Sequence, residues 1–317
     1  MSINKKRNRK ITGKPNGSIV KRVYKNRMYY LLILPFLIFL LVFNYAPMYG
    51  LTLAFKDFRV LDGIMGSPWA GLKYFRQLFS GFSFKEVLGN TIVISLMNLF
   101  FGWPVPIILA IFICEIGNPR VRKAFQTISY LPHFISWVIA ASLIEEMLSL
   151  NGPINSIIQE LGGNAIYFMA DPKYFRWILV LTGIWKGCGW SSIIYVSAIM
   201  GIDQDLYEAA RIDGANKWKE IWHITLPGMR STIIILFIMK IGGLLSDNFD
   251  QIYNLYSPSV YSVGDVIGTY TYRQGIVENN YSYATAAGLF QNVIGFMLVM
   301  ISNVVINKLS DGEEGLL

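Results

Sequence analysis

Apolar residues in this chain neither alternate with polar ones, as in a half-buried strand, nor gather on one face of a helix. Over six stretches they fill nearly every position. A helix apolar on all sides belongs in a bilayer, whose core of about 30 Å takes about 20 such residues. The clearest stretch is residues 29–55, and the others are residues 87–113, 125–148, 175–200, 232–245 and 284–306. The fifth is short and contains Lys240, which reads as neutralising a neighbour or snorkelling to the interface. Pro35, Pro47, Pro104 and Pro106 fall inside spans, where neighbouring helices can satisfy the freed carbonyls. The pattern predicts an all-α polytopic membrane protein with six transmembrane helices.

Composition agrees. Of the 317 residues only 15% are charged, against roughly a quarter in a soluble domain. Hydrophobic residues make up 53%, aromatics 15%, and the mean hydropathy is +0.42. A soluble enzyme of this length needs more charge to cover its surface, and a disordered chain has too few apolar residues for this profile.

Charge placement sets the orientation. Ten Lys and Arg lie between Lys5 and Arg27 with no acidic residue among them. Arg120, Arg122 and Lys123 sit between the second and third spans, and Arg211, Lys217, Lys219 and Arg230 between the fourth and fifth. The long loop at residues 246–283 carries only Arg273, whereas the first loop breaks the pattern with Lys56, Arg59, Lys73, Arg76 and Lys85. By the positive-inside rule both termini are cytoplasmic. The division is a basic tail over residues 1–27, a transmembrane domain over 28–308 and a short tail over 309–317. The first apolar run is too long for a cleaved signal and lacks a small-residue cleavage site, so it reads as a retained anchor. The net charge of +8 is mostly this topology signal, and nucleic-acid binding is not expected.

Catalytic chemistry finds little footing. Cys114, Cys188, His133 and His223 form no metal-ligand spacing and no disulfide framework. There is no zinc-protease motif, no nucleophile elbow and no phosphate-binding loop; Gly187 and Gly189 are a lone pair inside a span, read as close helix packing. Few intramembrane carboxylates are present to couple an ion gradient, which argues against a stand-alone secondary transporter of a small polar solute.

The informative segment is the loop over residues 203–227. Leu206, Ala209, Ala210 and Asp213 recur at helical spacing on one face, where two alanines permit close approach of another surface. Asp203 or Asp205 can cap the helix, Glu208 suits its early turns, and Gly214 ends it where a positive φ is needed. A second short helix over residues 217–224 places Trp218, Ile221 and Trp222 on one side before Leu226 and Pro227 return to the bilayer. A helix lying in lipid headgroups would carry bulky apolar residues where this one has alanines and carboxylates, so a protein-docking surface fits better.

Glu208-Ala-Ala-Arg-Ile-Asp-Gly214-Ala followed by Ile224-Thr-Leu-Pro227 resembles the EAA loop of permease subunits of binding-protein-dependent ABC importers, in the branch carrying oligosaccharides or polysaccharides. Further stretches are similar in order: Trp69-Ala-Gly-Leu-Lys-Tyr with Asn90-Thr91, Arg122-Lys-Ala-Phe with Leu131-Pro132 and Asn151-Gly-Pro-Ile-Asn, and Gly268-Thr-Tyr-Thr-Tyr-Arg with Tyr281-Ser-Tyr-Ala-Thr-Ala-Ala-Gly288. Ile221 stands where that family often has Phe, and Gly228-Met-Arg-Ser-Thr follows Leu226-Pro227 where the family often has a Pro shortly after.

The resemblance implies a non-catalytic membrane subunit in a bacterial cell membrane, with ATP and Mg bound by a partner ATPase and no cofactor of its own. It implies a coupling helix that docks on the ATPase through Glu208, Ala209, Ala210, Asp213, Gly214, Ala215, Leu226 and Pro227. A second permease subunit, a different chain in this branch, and an extracytoplasmic solute-binding protein complete the set. For the glycan path, aromatic faces and polar groups within or near spans suggest Trp185, Lys186, Trp190, Asn248 and Tyr253.

Overall fold

The computed structural model describes residue 24, residues 26–246 and residues 248–309. The remainder of the basic tail, residues 310–317 of the C-terminal tail, and Asp247 lie outside the described residues. The chain divides into two compact units, residues 1–52 and 53–317.

Helix α1 (Arg27–Phe55) opens as an α-helix through Leu40, passes through a π-turn at Leu41–Tyr45 and continues as a 3₁₀ run over Ala46–Phe55. Pro35 and Pro47 have no N–H to donate, so each removes a rung from the ladder, and the change of winding coincides with the second. No residue from Arg27 to Tyr45 is buried.

In the second unit, α2 (Lys73–Ser80) precedes α3 (Phe82–Glu115), which is wound as a π-turn over Asn98–Gly102 just before Pro104. Helix α3 threads three clusters of buried side chains. Phe84 and Val87 pack with Tyr270, Tyr283 and Ala286; Ile94 with Phe175, Ile178 and Leu179; Ile107, Ala110 and Ile113 with Tyr195, Val196, Ile199 and Met229. Helix α7 (Pro172–Met200) meets the second cluster early in its length and the third late, so α3 and α7 run in the same direction.

The first-loop cations that break the charge pattern are mostly held locally. Lys56 is buried and donates to the carbonyls of Ile64 (2.6 Å) and Met65 (3.2 Å), while Arg59 lies 4.0 Å from Asp62 and Lys73 3.5 Å from Asp57.

The third apolar stretch corrects one expectation. Residues 125–148 do not form one straight span. Helix α4 (Pro119–Tyr130) runs on as a 3₁₀ turn through Phe134, and α5 (Trp137–Leu148) departs at 101°. Pro132 cannot continue the ladder, and Ser136, extended in backbone, caps the new helix by accepting from Ile139 N at 3.4 Å. A short α6 (Pro153–Glu160) follows.

After α7 come α8 (Gln204–Ile212) and α9 (Lys217–Gly228), the latter ending in a 63° bend at Met229 into α10 (Arg230–Gly242). Then α11 (Phe249–Leu255), α12 (Tyr261–Gly264) and α13 (Ile267–Tyr272) build a folded connection to α14 (Tyr281–Leu309). Helices α10 and α14 touch backbone to backbone: a Cβ on Gly295 would lie 2.9 Å from the carbonyl oxygen of Gly242. Gly189 does the same for α7 against α4, where a Cβ would sit 2.0 Å from the Ser129 carbonyl oxygen. Gly187, by contrast, faces open space, so close packing accounts for only one of the two glycines.

Candidate functional site

Two features combine exposure with fixed geometry: the α8–α9 loop and the cavities between α3, α7 and α10.

The loop is built from its caps. The Asp203 side chain accepts from Asp205 N at 3.1 Å and starts α8; Asn216, which the sequence reading passed over, accepts from Lys219 N at 3.0 Å and starts α9. Between them Gly214 takes φ +77°, and the Ala215 N–H closes on the Ala210 carbonyl at 2.9 Å. This is the left-handed helix stop expected of glycine.

One face of α8 is held by the protein. Tyr207 is buried, and its hydroxyl lies 3.0 Å from Thr225 Oγ1 in α9. Arg211 donates to Glu220 through Nε at 2.9 Å, and Lys217 donates to the same carboxylate at 3.1 Å. Glu220 is only 2% exposed, so the Arg211 bond, with Lys217 adding, outweighs burial and holds its carboxyl below the usual range. The same bond raises Arg211. Lys217 also reaches Glu115 at the end of α3, 2.9 Å away, and Arg122 caps that end by donating to the Ile116 carbonyl at 2.8 Å. Sequence pattern could not single out Glu220 or Glu115, because either reads as a solvated charge until the tertiary structure brings its partners.

The other face of α8 is free. Leu206, Glu208, Ala209, Asp213 and Gly214 are exposed, with Ala210 and Ala215 half-buried. Glu208 makes no ion pair or hydrogen bond among the described residues. Large apolar groups stand in the open beside it: Ile212 is 87% exposed and Trp218 71%. Leu226 is half-buried and Pro227 exposed where α9 turns toward α10.

The larger cavity, about 630 Å³, is lined by Asn98, Trp103, Gly183, Gly187, Trp190, Ser191 and Lys240 among others. A second, about 170 Å³, is bordered by Ser95, Asn98, Gly183, Lys240, Asn248 and Gln251. Asn98, Gly183 and Lys240 belong to both. Gly183 and Gly187 stand one turn apart on α7, and the missing side chains leave room. Gln251 is fixed by donating to the Leu179 carbonyl at 2.6 Å and accepts from Asn248 at 3.2 Å.

Five path residues were expected, and Trp190 and Asn248 border these cavities. Trp190 is stacked on His133 at 4.6 Å. Lys186 does not border either cavity: it is 9% exposed and donates to the His133 carbonyl at 2.9 Å, freed by the break after α4. Tyr253 lies away from both, stacked on Phe249 at 5.1 Å and edge-on to Tyr272 at 5.1 Å, and Trp185 borders neither. Sequence reasoning missed Asn98 and Trp103, noticed Gln251 beside Asn248 without assigning it to the path, and gave Lys240 only a local role. Among the described residues no three His, Cys, Asp or Glu side chains converge as a metal site would require.

Comparison with known proteins gives one answer. Residues 102–311 match the family described as binding-protein-dependent transport system inner membrane component. The polygalacturonan/rhamnogalacturonan transport system permease protein YteP of Bacillus subtilis (strain 168) is 41% identical over 93% of this chain and 92% of its own length. Protein LplB of the same organism is 39% identical over 92% of each. A crystal structure of a bacterial ABC transporter involved in the import of the acidic polysaccharide alginate contains a chain 40% identical, with a TM-score of 0.86, covering 92% of this chain and 99% of that one. The chain belongs to the binding-protein-dependent transport system inner membrane component family.

Proposed function

We propose that this chain, as a member of that family, is the transmembrane permease subunit of an ATP-binding cassette importer. It forms one half of the translocation path for an oligosaccharide or polysaccharide-derived glycan. A second, different permease subunit supplies the other half, and an extracytoplasmic solute-binding protein delivers the glycan. ATP and Mg are bound and turned over on partner ATPase subunits, and this chain carries the resulting motion into the membrane.

The observation that carries this reading is the two-faced α8. Its inner face is held by Tyr207 and Arg211, while Leu206, Glu208, Ala209 and Asp213 look outward from a rigid mount. A helix so held transmits displacement rather than absorbing it. Exposed Ile212 and Trp218 offer apolar area for a partner, and unpaired Glu208 a charge for a cation in its groove. Arg120, Arg122 and Lys123 follow the end of α3, and Lys217 and Lys219 open α9, whose Lys217 reaches Glu115. The positive-inside rule makes this the cytoplasmic side, and both termini cytoplasmic with it. The cavities between α3, α7 and α10 supply aromatic faces and amides of the kind that bind sugars. A stand-alone secondary transporter is not favoured, since it gives the outward face of α8 nothing to do.

The test is purification of the tagged chain from native membranes in mild detergent, with mass spectrometry of what accompanies it. A P-loop ATPase, a second polytopic permease and a binding protein are expected, and Glu208→Ala or Gly214→Val should selectively weaken retention of the ATPase. A chain that purifies alone, or only with copies of itself, overturns the reading.

A further inference from the structure

Lys240 is a cation in α10, the apolar helix that together with α9 makes a bent candidate span, and it borders both cavities. The residue is exposed and contributes to the lining of both cavities. Among the described residues it makes no ion pair or hydrogen bond, and no Asp or Glu lines either cavity. The contrast with Lys186 is direct: that lysine also lies in a span, yet it is fixed on the His133 carbonyl. A charge at membrane depth is expensive and is kept where a counter-charge or a water-filled path meets it. Around Lys240 the other polar groups are neutral, chiefly Asn98, Ser191, Asn248 and Gln251, and Trp103 and Trp190 supply flat apolar faces.

We propose that Lys240 binds the carboxylate of the transported sugar, so that the path is built for an acidic oligosaccharide, a chain of uronic acid units, in preference to a neutral one. The chemistry follows from the lining. Indole faces take the apolar face of a pyranose ring, amides and the serine hydroxyl take its hydroxyls, and the one ammonium takes its negative charge. A cavity of about 630 Å³ and one of about 170 Å³ share Asn98, Gly183 and Lys240 in their linings, which places the same cation beside both. This inference rests on the importer reading, and the two can fail separately.

The experiment is ATP-driven uptake into liposomes by the complete complex with its binding protein, using trigalacturonate and its carboxyl-reduced neutral counterpart as probes. Wild-type complex is expected to import trigalacturonate and to discriminate against the neutral trisaccharide. Lys240→Gln should lower trigalacturonate uptake on the order of tenfold or more, the scale of one charge-assisted hydrogen bond, and Lys240→Arg should retain most of it. Import of the neutral probe alone by wild type, equal loss of both probes in Lys240→Gln, or no effect of that change each overturns the proposal while leaving the importer intact. Asp247, seven residues from Lys240 in sequence, is the internal rival for the ammonium. Recovery of trigalacturonate uptake in Lys240→Gln with Asp247→Asn would make the two an ion pair and overturn it likewise. ATP-dependent uptake of neither probe by wild type overturns this inference, while the importer reading is decided separately by whether the ATPase, second permease and binding protein co-purify.

Discussion

Lys217 Nζ lies 2.9 Å from Glu115 Oε2, joining the first turn of α9 to the last residue of α3. The same ammonium is 3.1 Å from Glu220, and Arg211 closes on that carboxylate from α8. Three helices therefore meet in one charge cluster behind the outward face of α8. Lys217 and Glu115 are 57% and 35% exposed, so the pair contributes only about 0.5–1 kcal/mol. Lys217→Met should leave the thermal stability of the spans nearly unchanged while amide exchange in α8 and α9 speeds up. Equal acceleration in α3 and α7 would show that the pair holds the whole unit rather than the loop.

Glu220 gives the loop a pH signature. Arg211 and Lys217 depress its carboxyl, so its contribution is fully present above its unfolded value near 4.5 and is lost as pH falls through the lower folded value. The opening of α8, read as amide exchange corrected for its intrinsic pH dependence, should be flat from pH 8 to 6 and rise only below about pH 4.5. Glu220→Gln should remove that rise, leave a neutral group among two cations, and loosen α8 at neutral pH by about 1–2 kcal/mol.

At Gly214 the penalty for a side chain is backbone strain alone, because a Cβ there meets nothing within 4 Å. At φ +77° a β-branched residue costs about 1–3 kcal/mol. Gly214→Val should reduce solute uptake with ATP hydrolysis persisting, and Gly214→Asn, which tolerates this conformation, should keep most of the coupling. Normal uptake per ATP in the valine variant would count against a transmitting role for the turn.

Gly189 and Gly187 should part ways under the same substitution. A methyl on Gly189 would sit 2.0 Å from the Ser129 carbonyl, so α4 must move, at about 1–3 kcal/mol, and Gly189→Ala should lower the melting temperature in detergent. Gly187→Ala fills empty space beside the larger cavity. It should fold normally and slow uptake of the bulkier of two solutes more.

Lys186→Met removes the donor to the His133 carbonyl and should destabilise the junction of α4 and α5 by about 1–3 kcal/mol. Solute selectivity in the surviving transporter should be unchanged. A shift in selectivity as large as that expected at Lys240 would assign Lys186 to the path after all.

What was legible in the sequence is what local chemistry dictates. Continuous apolar runs dictate helices in lipid, because a helix satisfies its backbone polar groups within one segment, whereas a barrel strand would alternate apolar and polar residues. Asp203, the alanine pair and Gly214 dictate a capped helix and a left-handed stop, since cap geometry depends on residues a few positions apart. Tertiary structure alone decided three things. It broke the third apolar stretch at 101°, where Pro132 interrupts the ladder, Ser136 caps the new helix and Lys186 takes up the His133 carbonyl from a helix remote in sequence. It separated two glycines that sequence treats alike, setting Gly189 on α4 and Gly187 on open space. And it gave two lysines in spans opposite fates, Lys186 fixed on a carbonyl and Lys240 facing the cavities, because the groups that meet an ammonium come from helices remote in sequence.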